Sequence, residues 1–205
     1  MPTTRTATPA DANAIARLHM ETLPGDVSDF TPLGAGIVRR FYAQAIARGA
    51  ATVCVAEENG QVLGFVMITP DIAELFPRAL LSGMGDIVAF VFGANPMGLA
   101  KAVINKFTSG TATVSRVPEL VYLGVSAAAR GKGVGALLMR AAHDAFKAQG
   151  IATYELNEHA DNPHAVKLYL SHGLTIQRRY EKAGHGLYNM RCDLNAPPAE
   201  APPKG

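Results

Sequence analysis

The run from Leu120 to Arg140 constrains the chain more than any other. Val121, Leu123 and Val125 alternate with Tyr122 and Gly124, which is strand spacing. From Val134 onward, Leu137, Leu138, Ala141, Ala142 and Ala145 recur at three- and four-residue steps, the pattern of one buried helix face. Between these segments lies Arg130-Gly131-Lys132-Gly133-Val134-Gly135. Residues without a Cβ let such a turn aim its amides inward, and the helix behind it adds free N–H groups and a positive dipole end. Arg130 and Lys132 supply two full charges beside them. A strand, a glycine-rich turn and a helix in that order suit a phosphate-bearing ligand.

Arg130-x-x-Gly133-x-Gly135 after a strand ending at Val125 resembles the acyl-CoA signature of the GNAT superfamily of N-acyltransferases. The resemblance implies an α/β (α+β) fold with a mixed, mostly antiparallel sheet flanked by helices. It also implies that acetyl-CoA is the acyl donor, its pyrophosphate held by backbone amides of Arg130, Gly131, Lys132, Gly133, Val134 and Gly135. A dinucleotide fingerprint is the competing reading, since Gly131-x-Gly133-x-x-Ala136 fits its relaxed form. That fingerprint normally opens a doubly wound domain, and too little chain follows the turn here to build one.

At 205 residues, the chain has room for one domain with a proper core. Residues 1–194 read as that domain, with 70–117 as an insertion and 195–205 as a proline-rich tail. A net charge of +2 gives no reason to expect a nucleic-acid partner. Cys54 and Cys192 sit in apolar alternating runs and read as core residues of a reducing compartment. No signal-peptide core and no membrane-spanning apolar run is visible, so a cytoplasmic location is the expectation.

In chain order, Thr3 to Thr8 reads as a strand, Asp11 as the acid opening a first helix, and Pro32 to Arg48 as a second helix. The resemblance puts the acceptor beside the segment between these helices, making Asp26, Ser28, Asp29 and Thr31 candidate contacts. Ala51–Glu57 and Gln61–Thr69 read as a hairpin across Asn59-Gly60, with Gly64 requiring a bulge or a close neighbour. The insertion suggests helices at Ile72–Leu81 and Asn95–Phe107 around the apolar run Ile87–Phe92. That run fits core or an acceptor-pocket lid, a homodimer contact, or a membrane-surface patch. Thr153–Asn157 reads as a strand, Asn162 as the cap of a helix begun by Pro163, and Gly173 as its left-handed stop. A hairpin of Leu174–Tyr180 and Leu187–Leu194 closes the domain.

Acyl transfer to an amine needs a base, because an alkylammonium with a pKa of about 10 leaves little free amine at neutral pH. Glu119 opens the cofactor strand, and the resemblance gives a glutamate there the role of general base. Glu155, Glu158 and a water relay are alternates. The alternation puts Glu119 on one face with Val121, Leu123 and Val125, and Tyr122 on the other. The oxyanion falls to a backbone N–H near Val125, and the resemblance pairs the pantetheine arm with the backbone of Leu123 and Val125. Asn162-x-x-Ala165-x-x-Leu168-Tyr169-x-x-x-Gly173 resembles the family's second CoA-contacting motif, which implies Asn162 as a cofactor contact and Tyr169 as the acid near the sulfur. The six histidines show no metal or triad spacing and read as surface or packing residues. The expected reaction is direct transfer to the primary amine of a small molecule, an amino sugar being one class. The alternative is a CoA-binding module without chemistry.

Overall fold

A computed structural model of the chain describes residues 1–25, 28, 30–80, 117–182 and 184–196. Seven strands make one sheet in the order β1-β2-β3-β4-β5-β7-β6. They are β1 (Thr3–Thr6), β2 (Thr52–Glu58), β3 (Gln61–Thr69), β4 (Glu119–Val125), β5 (Thr153–His159), β6 (Leu174–Lys182) and β7 (His185–Asp193). Every neighbouring pair is antiparallel except β4 and β5. The helices are α1 (Ala12–Thr22), α2 (Ala35–Ala47), α3 (Ile72–Leu80), α4 (Val134–Ala148) and α5 (Pro163–Leu170). This is the mixed, helix-flanked sheet expected, and its mostly antiparallel ladder excludes the doubly wound alternative.

Two cores lie on opposite faces of the sheet. On one, Val53, Val55, Phe65 and Met67 pack with Ile15, Leu18, Phe41 and Tyr42 from α1 and α2. On the other, Ala56, Val66, Ile68, Leu156 and Met190 pack with Val134, Leu138 and Phe146 of α4 and Tyr169 of α5. Each set alternates along its strands, the period-two rule that buries both faces of a central strand. Cys54 and Cys192 are buried free thiols, as expected.

Local signals set most element ends. Asn59 (φ 52°) and Gly60 (φ 76°) make the two-residue hairpin turn. Gly64 has both a bulge and a close neighbour: Leu63 is the extra residue beside it, and a Cβ there would meet the Gly124 carbonyl at 2.8 Å. Asn162 caps α5 by accepting the Ala165 N–H at 3.3 Å, Pro163 is its first residue, and Gly173 lies at φ 86°. Three expectations shift. The helix expected from Pro32 is a short 3-10 turn, Thr31–Leu33, followed by α2 from Ala35. The final strands run further than expected, to Lys182 and from His185, because Gly184 at φ 82° permits a shorter turn. The tyrosine at 122 changes face, as described below. The insertion's first helix is α3; the segments 87–92 and 95–107 lie outside the described residues, as do 197–205 of the tail.

Candidate active site

β4 is the hinge of the site because its two edges differ. Toward β3 it forms a ladder from Glu119 to Val125. Toward β5 it has one register pair, Glu119 with Glu155, anchored by the Glu155 N–H on the Pro118 carbonyl at 2.9 Å. Beyond that pair the two parallel strands part. Which backbone groups face the gap follows from alternation. The Ser126 N–H donates to Leu63 on the β3 side (2.9 Å), so Gly124 points the same way, and Leu123 and Val125 present their N–H and C=O groups to the gap. Arg130 Nε donates to the Val125 carbonyl at 3.4 Å, closing the far end of that edge.

The turn after β4 is a 3-10 step, Ala127–Ala129, then Arg130 extended (ψ 147°) and Gly131 and Gly133 left-handed at φ 74° and 79°. Added Cβ atoms at Gly131 and Gly133 would meet nothing within 4 Å, so positive φ rather than crowding selects glycine at both. The first hydrogen bond leading into α4 is Leu137 N–H to Gly133 carbonyl, 3.0 Å. The amides of Val134, Gly135 and Ala136 are therefore the unsatisfied donors of a helix start. Gly135 serves a different end: a Cβ there would stand 3.2 Å from Leu168, so it admits α5 against α4. Lys132 is exposed at the rim.

Glu119, Glu155 and their neighbours occupy the α1/α2 side of the sheet. Val121 is an extra residue in β4, since Met67 pairs with Tyr122 while Ile68 pairs with Leu120. That bulge overturns the simple alternation. Leu120, Leu123 and Val125 pack with the α4 core, whereas Val121 and Tyr122 pack with the α1/α2 core. Glu119, opposite Thr69, shares that second face. Tyr122 is thus on Glu119's side, not turned away from it. On the same side, Asn189 Nδ2 donates to Glu155 Oε2 (3.1 Å) and to Asn157 Oδ1 (3.3 Å), and the Tyr180 hydroxyl donates to Asn157 Oδ1 (3.0 Å). Glu119 lies close enough to Tyr180 to help push its phenol upward, after burial as the main cause.

Glu158 goes to the opposite face, two residues beyond the buried Leu156. There it sits beside Tyr169, which is buried on α5. Burial first, and the Glu158 carboxylate second, hold the Tyr169 hydroxyl well above its ordinary range, so it is a neutral O–H at working pH. Asn162, expected as a cofactor contact, has partners within the protein: one Nδ2–H donates to Glu158 Oε1 at 3.3 Å while Oδ1 caps α5. Among the loop candidates, Ser28 is buried and Thr31 donates to the Leu23 carbonyl at 2.6 Å; Asp26 and Asp29 lie outside the described residues.

A buried polar chain escaped the sequence reading. His19 contacts the Tyr42 hydroxyl through Nδ1 and Ser28 Oγ through Nε2, both at 2.8 Å, and Ser28 reaches the Tyr122 hydroxyl at 3.5 Å. Burial lowers the His19 pKa to about 4, so the ring is neutral. One signal was available: His19 follows Ile15 at the four-residue step of the buried helix stripe. Among the described residues no cluster could hold a metal ion, and no helix is long and apolar enough to cross a membrane.

A parted parallel strand pair beside a glycine turn at a helix start is the arrangement that the resemblance to the acyl-CoA-dependent acyltransferases implies. A model of the acetyltransferase (GNAT) family matches residues 13–174. The chain belongs to that family. Solved structures with this fold include the yncA protein of Salmonella typhimurium with its cofactor acetyl-CoA, 18% identical, covering 98% of this chain and 99% of that one at TM-score 0.61. The ribosomal-protein-S18-alanine N-acetyltransferase of Escherichia coli is another, at 14% identity, 98% and 99% coverage and TM-score 0.60. A mycothiol acetyltransferase of Jonesia denitrificans is 41% identical over 66 residues, 32% of this chain and 21% of that protein's length.

Proposed function

We propose that the protein transfers the acetyl group of acetyl-CoA directly to the primary amine of a small molecule bound on the α1/α2 face, at the mouth of the β4–β5 gap. The observation carrying this reading is the free edge of β4, with the backbone of Leu123 and Val125 turned toward the gap and the Arg130–Gly135 turn at its end. Pantetheine amides would add there like a short strand, and the pyrophosphate would meet the amides of Val134, Gly135 and Ala136 with the charges of Arg130 and Lys132 nearby, since the Arg130 and Lys132 N–H groups donate within the turn, to Ala127 at 3.3 Å and Ala129 at 3.4 Å. The Val125 N–H suits the developing oxyanion.

Glu119 is the base in this reading. It stands at the root of the gap on the acceptor face, paired in register with Glu155. The amine gives its proton to Glu119 as its nitrogen attacks the thioester carbon. The C–S bond then breaks, and the thiolate takes a proton from Tyr169 on the other face. Direct attack is favoured because Cys54 and Cys192 are buried away from the gap, with burial raising both thiols.

The acceptor face is lined by Glu119, Glu155, Asn157, Asn189 and Tyr180, a set rich in carboxylate, amide and hydroxyl groups. Such a lining suits an amine that also carries hydroxyls, amino sugars among them, and the name of the Jonesia relative agrees with a small-molecule acceptor. The test is release of free CoA thiol from acetyl-CoA against amino sugars, polyamines, amino acids and peptides. Turnover with a hydroxylated small amine supports the reading. Binding of acetyl-CoA with no thiol release for any amine replaces it with a CoA-binding module.

A further inference from the structure

The α1/α2 face carries its charges in two places. Glu119, Glu155 and Asp193 stand toward the root of the gap, with Arg191 in register with Glu155. Further out, β6 places Arg178, Tyr180 and Lys182 on the same face at alternate positions, opposite Asn189, Leu187 and His185 of β7. Glu181 falls between them on the other face, opposite Gly186. The outer edge is therefore basic where the root is acidic.

Arg178 is held in a way that leaves its donors open to a ligand. It is exposed, and its Cζ stands 5.2 Å from the centroid of the Tyr180 ring, a cation–π seat. Tyr180 is itself fixed: its hydroxyl donates to Asn157 Oδ1 at 3.0 Å, and Asn189 Nδ2 reaches Asn157 Oδ1 at 3.3 Å and Glu155 Oε2 at 3.1 Å. A hydrogen-bonded line thus runs from Glu155 at the root to the ring beneath Arg178. Among the described residues, neither Arg178 nor Lys182 has a side-chain hydrogen bond or an ion pair. An arginine seated on a ring presents a planar fork of N–H groups that matches a carboxylate or a phosphate. After burial, the charges acting on the Tyr180 phenol are those of Arg178 and Glu119, so the two opposite charges lie around one side chain.

We propose that the acceptor is an amine that also carries an anionic group, a carboxylate or a phosphate, and that Arg178 holds that group while the amine lies toward Glu119. This rests on the acceptor being bound on the α1/α2 face. Tyr180 is a positioning residue for Arg178, and Lys182 adds positive charge on the same edge. An acceptor with opposite charges at its two ends is oriented by the face itself, its ammonium turned to the acids and its anion to the bases. An amine without the anion feels only the first of these pulls.

Thiol release from acetyl-CoA is measured with two matched pairs of amines: glucosamine against its phosphate monoester, and the amide of γ-aminobutyrate against γ-aminobutyrate. The expected result is a kcat/KM about tenfold higher, or more, for the anionic member of one pair, the size of one charge-assisted hydrogen bond. The pair that shows it tells phosphate from carboxylate. Arg178→Gln should raise KM for that member by about tenfold and leave the neutral member and the acetyl-CoA KM unchanged. Tyr180→Phe keeps the ring and should keep the preference, whereas Tyr180→Leu should lose most of it. Neutral members used as well as anionic ones in both pairs overturn the inference and leave the acceptor face standing. So does an anionic preference that survives Arg178→Gln, or an Arg178→Gln that slows both members alike. No thiol release with any amine removes the acceptor-face reading and this inference with it.

Discussion

Two polar groups share the α1/α2 side of the sheet and differ in what they face. The chain Tyr42–His19–Ser28–Tyr122 lies under α1 and α2, and its first three members are buried. Both ring nitrogens of the histidine have partners, so this chain is a satisfied core network that fixes the α1–α2 connection to β4. The set Glu155–Asn157–Asn189–Tyr180 spans β5, β7 and β6, and Asn157 and Tyr180 keep exposed surface. Equal polarity therefore serves opposite ends: one group closes on itself, and the other keeps groups available to a ligand. They meet at β4, where Glu119 and Tyr122 stand on one face.

The sharpest break would come at that meeting point. Glu119→Gln should lower kcat by about a hundredfold or more while leaving acetyl-CoA affinity intact, the pattern of a lost base. A kcat near wild type would move the base to Glu155 or to water. The closed network is tested by pH. His19 has its folded pKa lowered from 6.5 to about 4, so between those values the unfolded chain binds the proton that the folded one refuses. Its contribution is complete above pH 6.5 and is lost as pH falls toward 4, roughly 3 kcal/mol across the window. Urea titrations of wild type and His19→Gln at pH 4.5 and 7 should show the variant losing much less of its stability on acidification. An equal loss in both would deny that His19 is buried neutral.

Packing between the two groups comes next. A Cβ at Gly124 would run into Thr22 Oγ1 and stand 2.7 Å from Phe65 Cε1. Gly124→Ala should destabilise by about 1–3 kcal/mol through overpacking, read as a lowered Tm. An unchanged Tm would mean that α1 moves freely over β4. The smallest effect belongs to the open group. Asn189→Ala should raise the acceptor KM by roughly tenfold with acetyl-CoA KM unchanged, since it removes hydrogen bonds on the acceptor side alone. A rise in acetyl-CoA KM instead would put Asn189 on the wrong side of the gap.

The legible parts of the molecule were those set by neighbours in sequence. The Asn59-Gly60 turn, the Asn162-Pro163 helix start, the Gly173 stop and the Arg130–Gly135 turn each state their backbone geometry in a few consecutive residues. What the sequence concealed depended on distant partners. A bulge at Val121 is invisible in an alternating string, because the register that creates it belongs to Met67 and Ile68. His19 looked ordinary until Tyr42 and Ser28 came to its two nitrogens. Glu155 and Glu158, three residues apart and both acidic, could not be told apart until the pleat sent them to opposite faces. Gly135 was assigned to ligand contact on its motif alone, and its tight approach to Leu168 shows a packing reason that the motif does not state.

The extra residue at Val121 has one more consequence. Strict pleating would send Glu119 outward with the side chains that pack on α4, leaving the α1/α2 side with Glu155 alone of the pair. One inserted residue acts as a half-turn in the strand, so that in the proposed reaction a single length of backbone offers main chain to the donor at one end and Glu119 to the acceptor at the other. Removing it would not weaken the enzyme by degrees; it would exchange the chemistry of two surfaces at once.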